Sequence, residues 1–434
     1  MSMSASHSAV RTRRLAPLCL GVTAAIAISA CGGSAESTAT ATAAVVADCD
    51  PQGVTITAAF APQGQVAAEA AKATIEADHP GLTVELRPSS TSSYDELTQQ
   101  VVADIAAGNR PDVTMVGLGQ IRFWVDQYSP QPIEPDTLAD TYDQRFLGIG
   151  EVDGQPYVAP FQVSVPVLYT NTDKASAAGV DGVPETTSEL IAAARQVHDA
   201  TGEAPVQLPR DAIADWVAQA MIQSAGATFV EDDGQPGFDN AAGADGLSIY
   251  EQLGAEGLQD PIAFADATTA FQTGKLTYLV SSPAAAVAAQ QAIGDSFHWS
   301  VTAMPIPDGG SAALPAGGNG WMVLSDDACR AAFSTELIAD MLAPEVIADS
   351  SRSYSYIPVD TQAAAELAAD PAVDTQVGYS WTYAGTPTAW GGWHGDATPR
   401  VNVFMQEAVQ RLIGGEPVDA VLPETVQRIQ SAVR

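Results

Sequence analysis

The sequence predicts an α/β protein in two domains, with mainly parallel sheets that carry helices on both faces. Three observations predict it. From residue 53 to residue 119 β-branched runs alternate with helical periods in the order βαβαβ, which packs as parallel strands joined by crossover helices. Residues 49–434 are enough chain for two domains of ordinary size, each with its own core. Beyond residue 30 no run is apolar enough to span a bilayer.

In chain order, a basic stretch with Arg11, Arg13 and Arg14 precedes an uncharged run over residues 15–30 that ends in small side chains. That is the layout of an export signal, and residues 1–30 are set aside from the fold. Ile28-Ser29-Ala30-Cys31 resembles the lipobox of bacterial lipoproteins, in which the cysteine becomes the acylated first residue of the mature chain. Ordinary cleavage beside Ala30 is the alternative. Residues 31–48 are small and polar with no aromatic, so burial cannot offset their ordering entropy and they read as a flexible tether.

The body opens with "GVTITAAF" (residues 53–60), an alternating run that predicts a strand. An Ala-rich helix over residues 65–78 ends at His79-Pro80, and "LTVELRP" gives the second strand. Ser93 and Glu96 form a capping box. Leu97, Val101 and Ile105 line one face of the helix that follows, and Gly108 supplies a left-handed cap. "PDVTMVGLG" is a third strand running into a glycine loop, and ligands of such sheets sit beyond the carboxyl ends of the strands. Residues 154–170 are extended and Pro-punctuated, as a crossover between domains would be. Thr186 and Glu189 open a second capped helix. Residues 266–282 read as helix, glycine turn and buried strand, and residues 297–307 and 317–325 as two more strands. The helix over residues 400–415 places Val403, Ala408 and Leu412 on its apolar side.

Composition excludes several functions. Asp and Glu number 52 against 18 Lys and Arg, a net charge of −34, which argues against nucleic acid and against a basic patch on anionic lipid. After the leader the histidines are His79, His198, His298 and His394, and none forms a helical metal pair. No HExxH, GxSxG or P-loop occurs, so neither a metal nor a cofactor is expected. With Cys19 in the leader and Cys31 acylated, Cys49 and Cys329 remain, and outside the cytoplasm such a pair favours a disulfide over two separate buried thiols. Trp381, Tyr383, Trp390, Trp393 and His394 crowd a glycine-rich stretch between residues 380 and 400. Such rings either stack on a ligand with an apolar face and polar rim, or plug a core.

Six segments in order are similar to the maltose-binding type (family 1) of extracellular solute-binding proteins of bacterial ABC importers. They are "AGNRPDVTMVGL", "GQPYVAPFQVSVPVLYTNTDKASAAGV" followed by "VPETTSELIAAA", "AFQTGKLTYLVSSP", "VTAMPIPDGG" with "GGNGWMVLS", "YIPVD", and "RLIGGEPVDAVLPETVQRI". The resemblance implies a two-lobed periplasmic-binding-protein fold of type II that closes on a solute. One lobe would hold residues 49–161 and 316–350, the other 162–310 and 355–434, with crossings near 161–165, 307–318 and 351–358. Both cysteines then fall in one lobe. The implied cleft residues are Gln63, Gln65, Gly117, Gln120, Gln162, Ser164, Ser281, Ser282, Gly317, Gly318, Asn319 and Tyr356, with Asp211, Asp215 and Trp216 at a helix start. Trp390, Trp393, His394 and Arg400 complete the candidates. The implied ligand is a sugar, oligosaccharide or polyol. Glycerol phosphate or a glycerophosphodiester is the alternative, which would need a base such as Arg400. The implied partners are permease subunits with a cytoplasmic ATPase, with the monomeric chain anchored at the outer face of the membrane. A secreted glycan or phosphodiester hydrolase is the competing reading.

Overall fold

The computed structural model describes residues 46–434, so the expected leader, Cys31 and the tether up to residue 45 lie outside the described residues. β1 (Thr55–Phe60) turns through Gln63 into α1 (Gln65–Asp78), whose buried stripe is Ala67, Ala68, Ala71 and Ile75. β2 (Thr83–Pro88) lies parallel to β1, with Ile56 opposite Val84. α2 (Tyr94–Ala106) starts at Ser93, whose hydroxyl accepts from Glu96 N. The expected box is only half formed there, because Ser93 N donates to Thr91 Oγ1 and not to Glu96. β3 (Val113–Gly117) is also parallel to β1, and α3 (Ile121–Tyr128) follows it. A short hairpin of β4 (Glu151–Val152) and β5 (Gln155–Pro156) turns at Asp153-Gly154, both at positive φ, as a tight two-residue hairpin turn requires.

Next comes the first crossing. β6 (Ala159–Ser164) is a strand of the first sheet, and β7 (Val167–Asn171), three residues on, is a strand of the second. α4 (Thr172–Ala177) and α5 (Thr187–Thr201) follow, the latter with both arms of the Thr186 and Glu189 capping box in place. The second half continues through β8 (Val206–Gln207), α6 (Ala214–Ser224), α7 (Ala241–Ala255), α8 (Phe264–Gln272), β9 (Tyr278–Ser281), α9 (Ala286–Ile293) and β10 (Trp299–Ala303). β11 (Gly317–Val323) returns to the first sheet. α10 (Ala328–Met341), α11 (Pro344–Tyr354), α12 (Thr361–Ala368), α13 (Thr398–Ile413) and α14 (Val418–Ala432) close the chain.

The strand order is β2-β1-β3-β11-β6 in one sheet and β10-β7-β9-β8 in the other. Both sheets are mixed and not mainly parallel. β11 runs antiparallel to β3 and β6, and in the second sheet only β8 and β9 pair in parallel. The reason is topological. A strand returning from the second sheet re-enters by the end through which β6 left, and so must oppose it.

Each sheet has its own aromatic core. Trp321 is fully buried with Phe60 and Phe161, ring centroids 6.1 and 6.0 Å away. Tyr169 stacks on Trp299 at 5.7 Å in the other, with Phe271 edge-on to both. Buried Asp112, just ahead of β3, ties β1 to the chain just past β11: its carboxylate accepts from Thr57 N at 2.9 Å and Ser325 Oγ at 2.7 Å. Cys49 and Cys329 are joined by a disulfide across a sequence separation of 280, Cys329 lying on α10. On α13 the buried face is Val401, Met405, Ala408 and Leu412, and Val403, expected on it, is 47% exposed. Counting back from Leu412 in steps of three and four reaches 405 and 401 and passes over 403.

Candidate functional site

Several elements of the first sheet converge at one place. β11 brings Gly317, Gly318 and Asn319, β6 brings Gln162 and Ser164, and α2 begins there with Tyr94 and Asp95. Fully buried Asn319 donates from Nδ2 to the Tyr94 hydroxyl at 2.9 Å and to Gln162 Oε1 at 2.7 Å. Its Oδ1 has no partner among the described residues. Gln162 Nε2 in turn donates to Gln63 O at 3.1 Å and Ser350 Oγ at 2.7 Å. Gly318 has φ +101°, and a Cβ there would stand 1.9 Å from Gln162 O, so only glycine lets β11 and β6 meet here. Gly117 packs against Tyr94 in the same way. Burial first, and Tyr94 beside it, hold the Tyr356 phenol well above its ordinary pKa. Gln120, next to Gly119, accepts from Thr98 Oγ1 at 2.7 Å and donates to Asp95 at 2.5 Å.

α6 faces this surface from the second half. Its Trp216 covers Gly317, where a Cβ would meet the ring at 2.6 Å and Ser164 Oγ at 3.0 Å, and the indole N–H donates to Pro315 O at 2.9 Å. Asp215 and Gln219, four residues apart on one helix face, hold the aromatic loop. Trp390 Nε1 donates to Asp215 Oδ2 at 3.2 Å, Gln219 Nε2 donates to Ala389 O at 2.9 Å, and Gly391 N donates to Gln219 Oε1 at 3.0 Å. So held, the Trp390 ring lies on Gly119, where a Cβ would meet it at 2.7 Å. The two indoles are 6.0 Å apart and tilted by 45°. Each is thus an aromatic plate of the second half seated on a bare glycine of the first. Asp215 is 5% exposed, and its carboxyl is raised to about 7. Desolvation is the main cause. The charge of Asp95 adds to it, and hydrogen bonds from its own N–H, Trp390 and Trp216 oppose it.

The loop then reaches α3. His394 Nδ1 lies 3.2 Å from Arg122 Nη2, and Gly395 N donates to Asp126 Oδ2 at 2.6 Å. Arg122 also pairs with Asp126 at 3.0 Å and with Asp153 at 2.9 Å. Beside Trp390 lies a cavity of about 140 Å³, lined also by Leu118, Ile121, Arg122, Glu151 and Asp153.

The structure therefore gathers Gly117, Gln120, Gln162, Ser164, Asp215, Trp216, Gly317, Gly318, Asn319, Tyr356 and Trp390, with His394 at the edge. Other candidates are turned elsewhere. Gln65 bonds Glu69 on its own helix, and the Gln63 side chain reaches Ser92 O while only its carbonyl meets Gln162. Asp211 accepts from Phe264 N at the start of α8. Ser281 is buried in β9 opposite Val167, and Ser282 caps the turn at Ala284. Trp393 is fully buried, edge-on to Phe229 at 5.3 Å, as the core-plug reading has it. Arg400 is exposed on α13 and bound to Asp396 and to Ala432 O. The sequence reading missed Tyr94, Asp95, Gln219 and Arg122 as site residues. Gln219 could have been found from its four-residue spacing to Asp215. Tyr94 and Asp95 were hidden inside a segment that reads as helix capping.

Residues 70–375 match a family of bacterial extracellular solute-binding proteins. The chain belongs to that family. Among its relatives, a binding protein of Brucella abortus (strain 2308) is 25% identical over 225 residues, covering 50% of this chain and 54% of the relative. The chain thus spans about half the length of the curated relatives it matches. Solved structures extend the likeness along the chain. The cyclic α-maltosyl-1,6-maltose binding protein of Arthrobacter globiformis has a TM-score of 0.75 at 19% identity, covering 88% of this chain and 99% of its own. The sugar-binding protein MalE of Xanthomonas citri has a TM-score of 0.74 at 19% identity, covering 88% and 97%. UgpB of Mycobacterium tuberculosis, in complex with glycerophosphocholine, has a TM-score of 0.70 at 18% identity, covering 86% and 98%. At such identities the likeness establishes the fold, the two-lobed α/β architecture of solute-binding proteins. Among the described residues no helix of this solute-binding protein is long and apolar enough to cross a membrane.

Proposed function

We propose that this solute-binding protein captures a sugar, oligosaccharide or polyol between two lobes and presents it, closed, to an ABC permease with a cytoplasmic ATPase. The reading takes one lobe as built on each sheet, with hinges near residues 161–165, 307–318 and 351–358. It takes Cys31 as the acylated anchor at the outer face of the membrane. The observation that carries it is the seating of Trp216 on Gly317 and Trp390 on Gly119, beside Asn319, Gln162, Tyr94 and Asp215. Indole faces suit the apolar faces of sugar rings, and amides, a phenol and a carboxylate suit their hydroxyls. A ligand that binds the closed form better than the open one shifts the population, and no covalent chemistry is needed. The sugar ligands named for the Arthrobacter and Xanthomonas proteins agree with this reading. A phosphate ligand fits less well, because Arg400, the base it would need, is already engaged by Asp396 and Ala432 O.

A thermal-shift screen against sugars, polyols and glycerophosphodiesters tests it, because a ligand of the native state alone must raise apparent stability. At least one sugar or polyol should raise the melting temperature in a concentration-dependent way. A flat screen, or release of product from a glycan that stops when one carboxylate is changed, would defeat the proposal.

A further inference from the structure

Between a helical turn at Gln376–Thr382 and α13, residues 383–395 form a strap that is fastened to both halves of the molecule. The second half holds it mainly from α6. Asp215 and Gln219 bind Trp390, Ala389 and Gly391, and Thr388 Oγ1 donates to Gln223 Oε1 at 3.3 Å. Trp393 is sunk in the core against Phe229, and His394 rests on Gly234, where a Cβ would meet its ring at 2.5 Å. Thr388 also pairs with the connection from β10 to β11: its N–H donates to Leu314 O and its carbonyl accepts from Ala316 N, both at 2.8 Å.

The first half grips the strap near its two ends with arginines. Arg145 donates to Gly385 O at 3.1 Å and to Tyr383 O at 3.4 Å, and Arg122 donates to His394 Nδ1 at 3.2 Å. Each guanidinium is already fixed on its own side. Asp143 holds Arg145 at 2.6 Å over the Phe146 ring, and Asp126 and Asp153 hold Arg122. Asp126 also accepts from Gly395 N at 2.6 Å. Between the grips Trp390 rests on Gly119, and the 140 Å³ cavity is lined by Ala389 and Gly392 of the strap and by Ile149 and Val152 of the first half. The two sets of ties are unequal. The arginine bonds lie partly open to water, which can replace them, whereas pulling Trp393 out of its core would expose a whole indole. When the halves part, the strap therefore stays with the second half and the arginine grips give way.

We infer that residues 383–395 are a latch between the halves: clamped by Arg122 and Arg145, the strap keeps them together when no solute is bound. The inference rests on the solute-binding reading above, in which the halves part to admit a solute. It adds that the empty protein is predominantly shut, so that entry of a solute waits on release of the strap.

Small-angle X-ray scattering of the purified, ligand-free protein tests it. The wild type should scatter as the arrangement with Trp216 and Trp390 seated on their glycines. Arg122→Ala and Arg145→Ala should each have a larger radius of gyration, and the double variant the largest. Arg195→Ala, which breaks the pair with Glu256 inside the second half, is the control and should scatter as the wild type. Hydrogen exchange by NMR locates the change. In Arg145→Ala the Gly395 amide, held by Asp126 at the far end of the strap, should exchange on the order of tenfold faster. The Gly391 amide, held by Gln219, should keep its wild-type rate. Melting curves show whether the variants fold, and the single variants carry the test if the double variant does not. A wild type already expanded without solute, folded variants as compact as the wild type, or a Gly395 rate indifferent to Arg145 overturns the latch. So does equal expansion of Arg195→Ala, or faster exchange at both amides, which would mean that the loop merely frays. Each of these leaves solute capture standing, since the thermal-shift screen judges that separately.

Discussion

At Asp215 a single carboxyl couples the site to pH. Burial and Asp95 raise it from 3.8 to about 7, so between those values the folded protein holds a proton that the unfolded chain has released. The stabilisation is complete below the unfolded value and is lost as pH rises through about 7, at up to about 1.4 kcal/mol per pH unit. Asp215→Asn should abolish this part of the slope, so urea stability compared from about pH 4 to about pH 8 should fall more steeply in the wild type. Parallel profiles would exclude the effect. The two neighbouring tryptophans should separate in the same assay. Trp393→Ala, in the core, should cost about 3–5 kcal/mol. Trp390→Ala should leave most of the stability and lose ligand, read as a vanished thermal shift. The sequence shows the cluster of rings but not how they divide, with Trp393 buried against Phe229 and Trp390 on Gly119, because a glycine-rich loop has no period from which facing can be read. Asp215 was legible through its place at a helix start, while its partner Asp95 was read only as the first turn of a capped helix.

Among the elements, the two predicted capping boxes give a direct comparison. Thr186 closes both arms at the start of α5, and Ser93 closes one at α2. Thr186→Ala should cost about 1 kcal/mol in a chemical melt and Ser93→Ala measurably less. Equal losses would mean that the second arm contributes nothing. The helix starts were legible because capping is local chemistry between residues three apart. So was the parallel βαβαβ opening, since each strand there follows its own crossover helix. The antiparallel entry of β11 was not, because its direction depends on where the chain has been since β6. At α13 the period and the buried Ala408 and Leu412 were legible, and only Val403 was misplaced, since it is as apolar as its buried neighbour Val401.

For the whole molecule, the pairing of Cys49 with Cys329 was legible by elimination, and the structure places the second cysteine on α10, which packs on α1 beside the first sheet. Closing so long a loop restrains the unfolded chain by up to about 5 kcal/mol, so reductant or Cys329→Ser should lower the guanidinium midpoint. Ligand affinity should be kept, because the bridge stays within the elements of one sheet, and lost affinity at unchanged stability would contradict that. The bridge also decides how the fold meets a mechanical pull. Tension applied to the chain ahead of Cys49 arrives at a covalent bond before it arrives at β1, and α10 takes up the load. The six-residue β1 pairing with β2, and the glycine seats of Trp216 and Trp390 beyond it, are thereby shielded from tugging at that end.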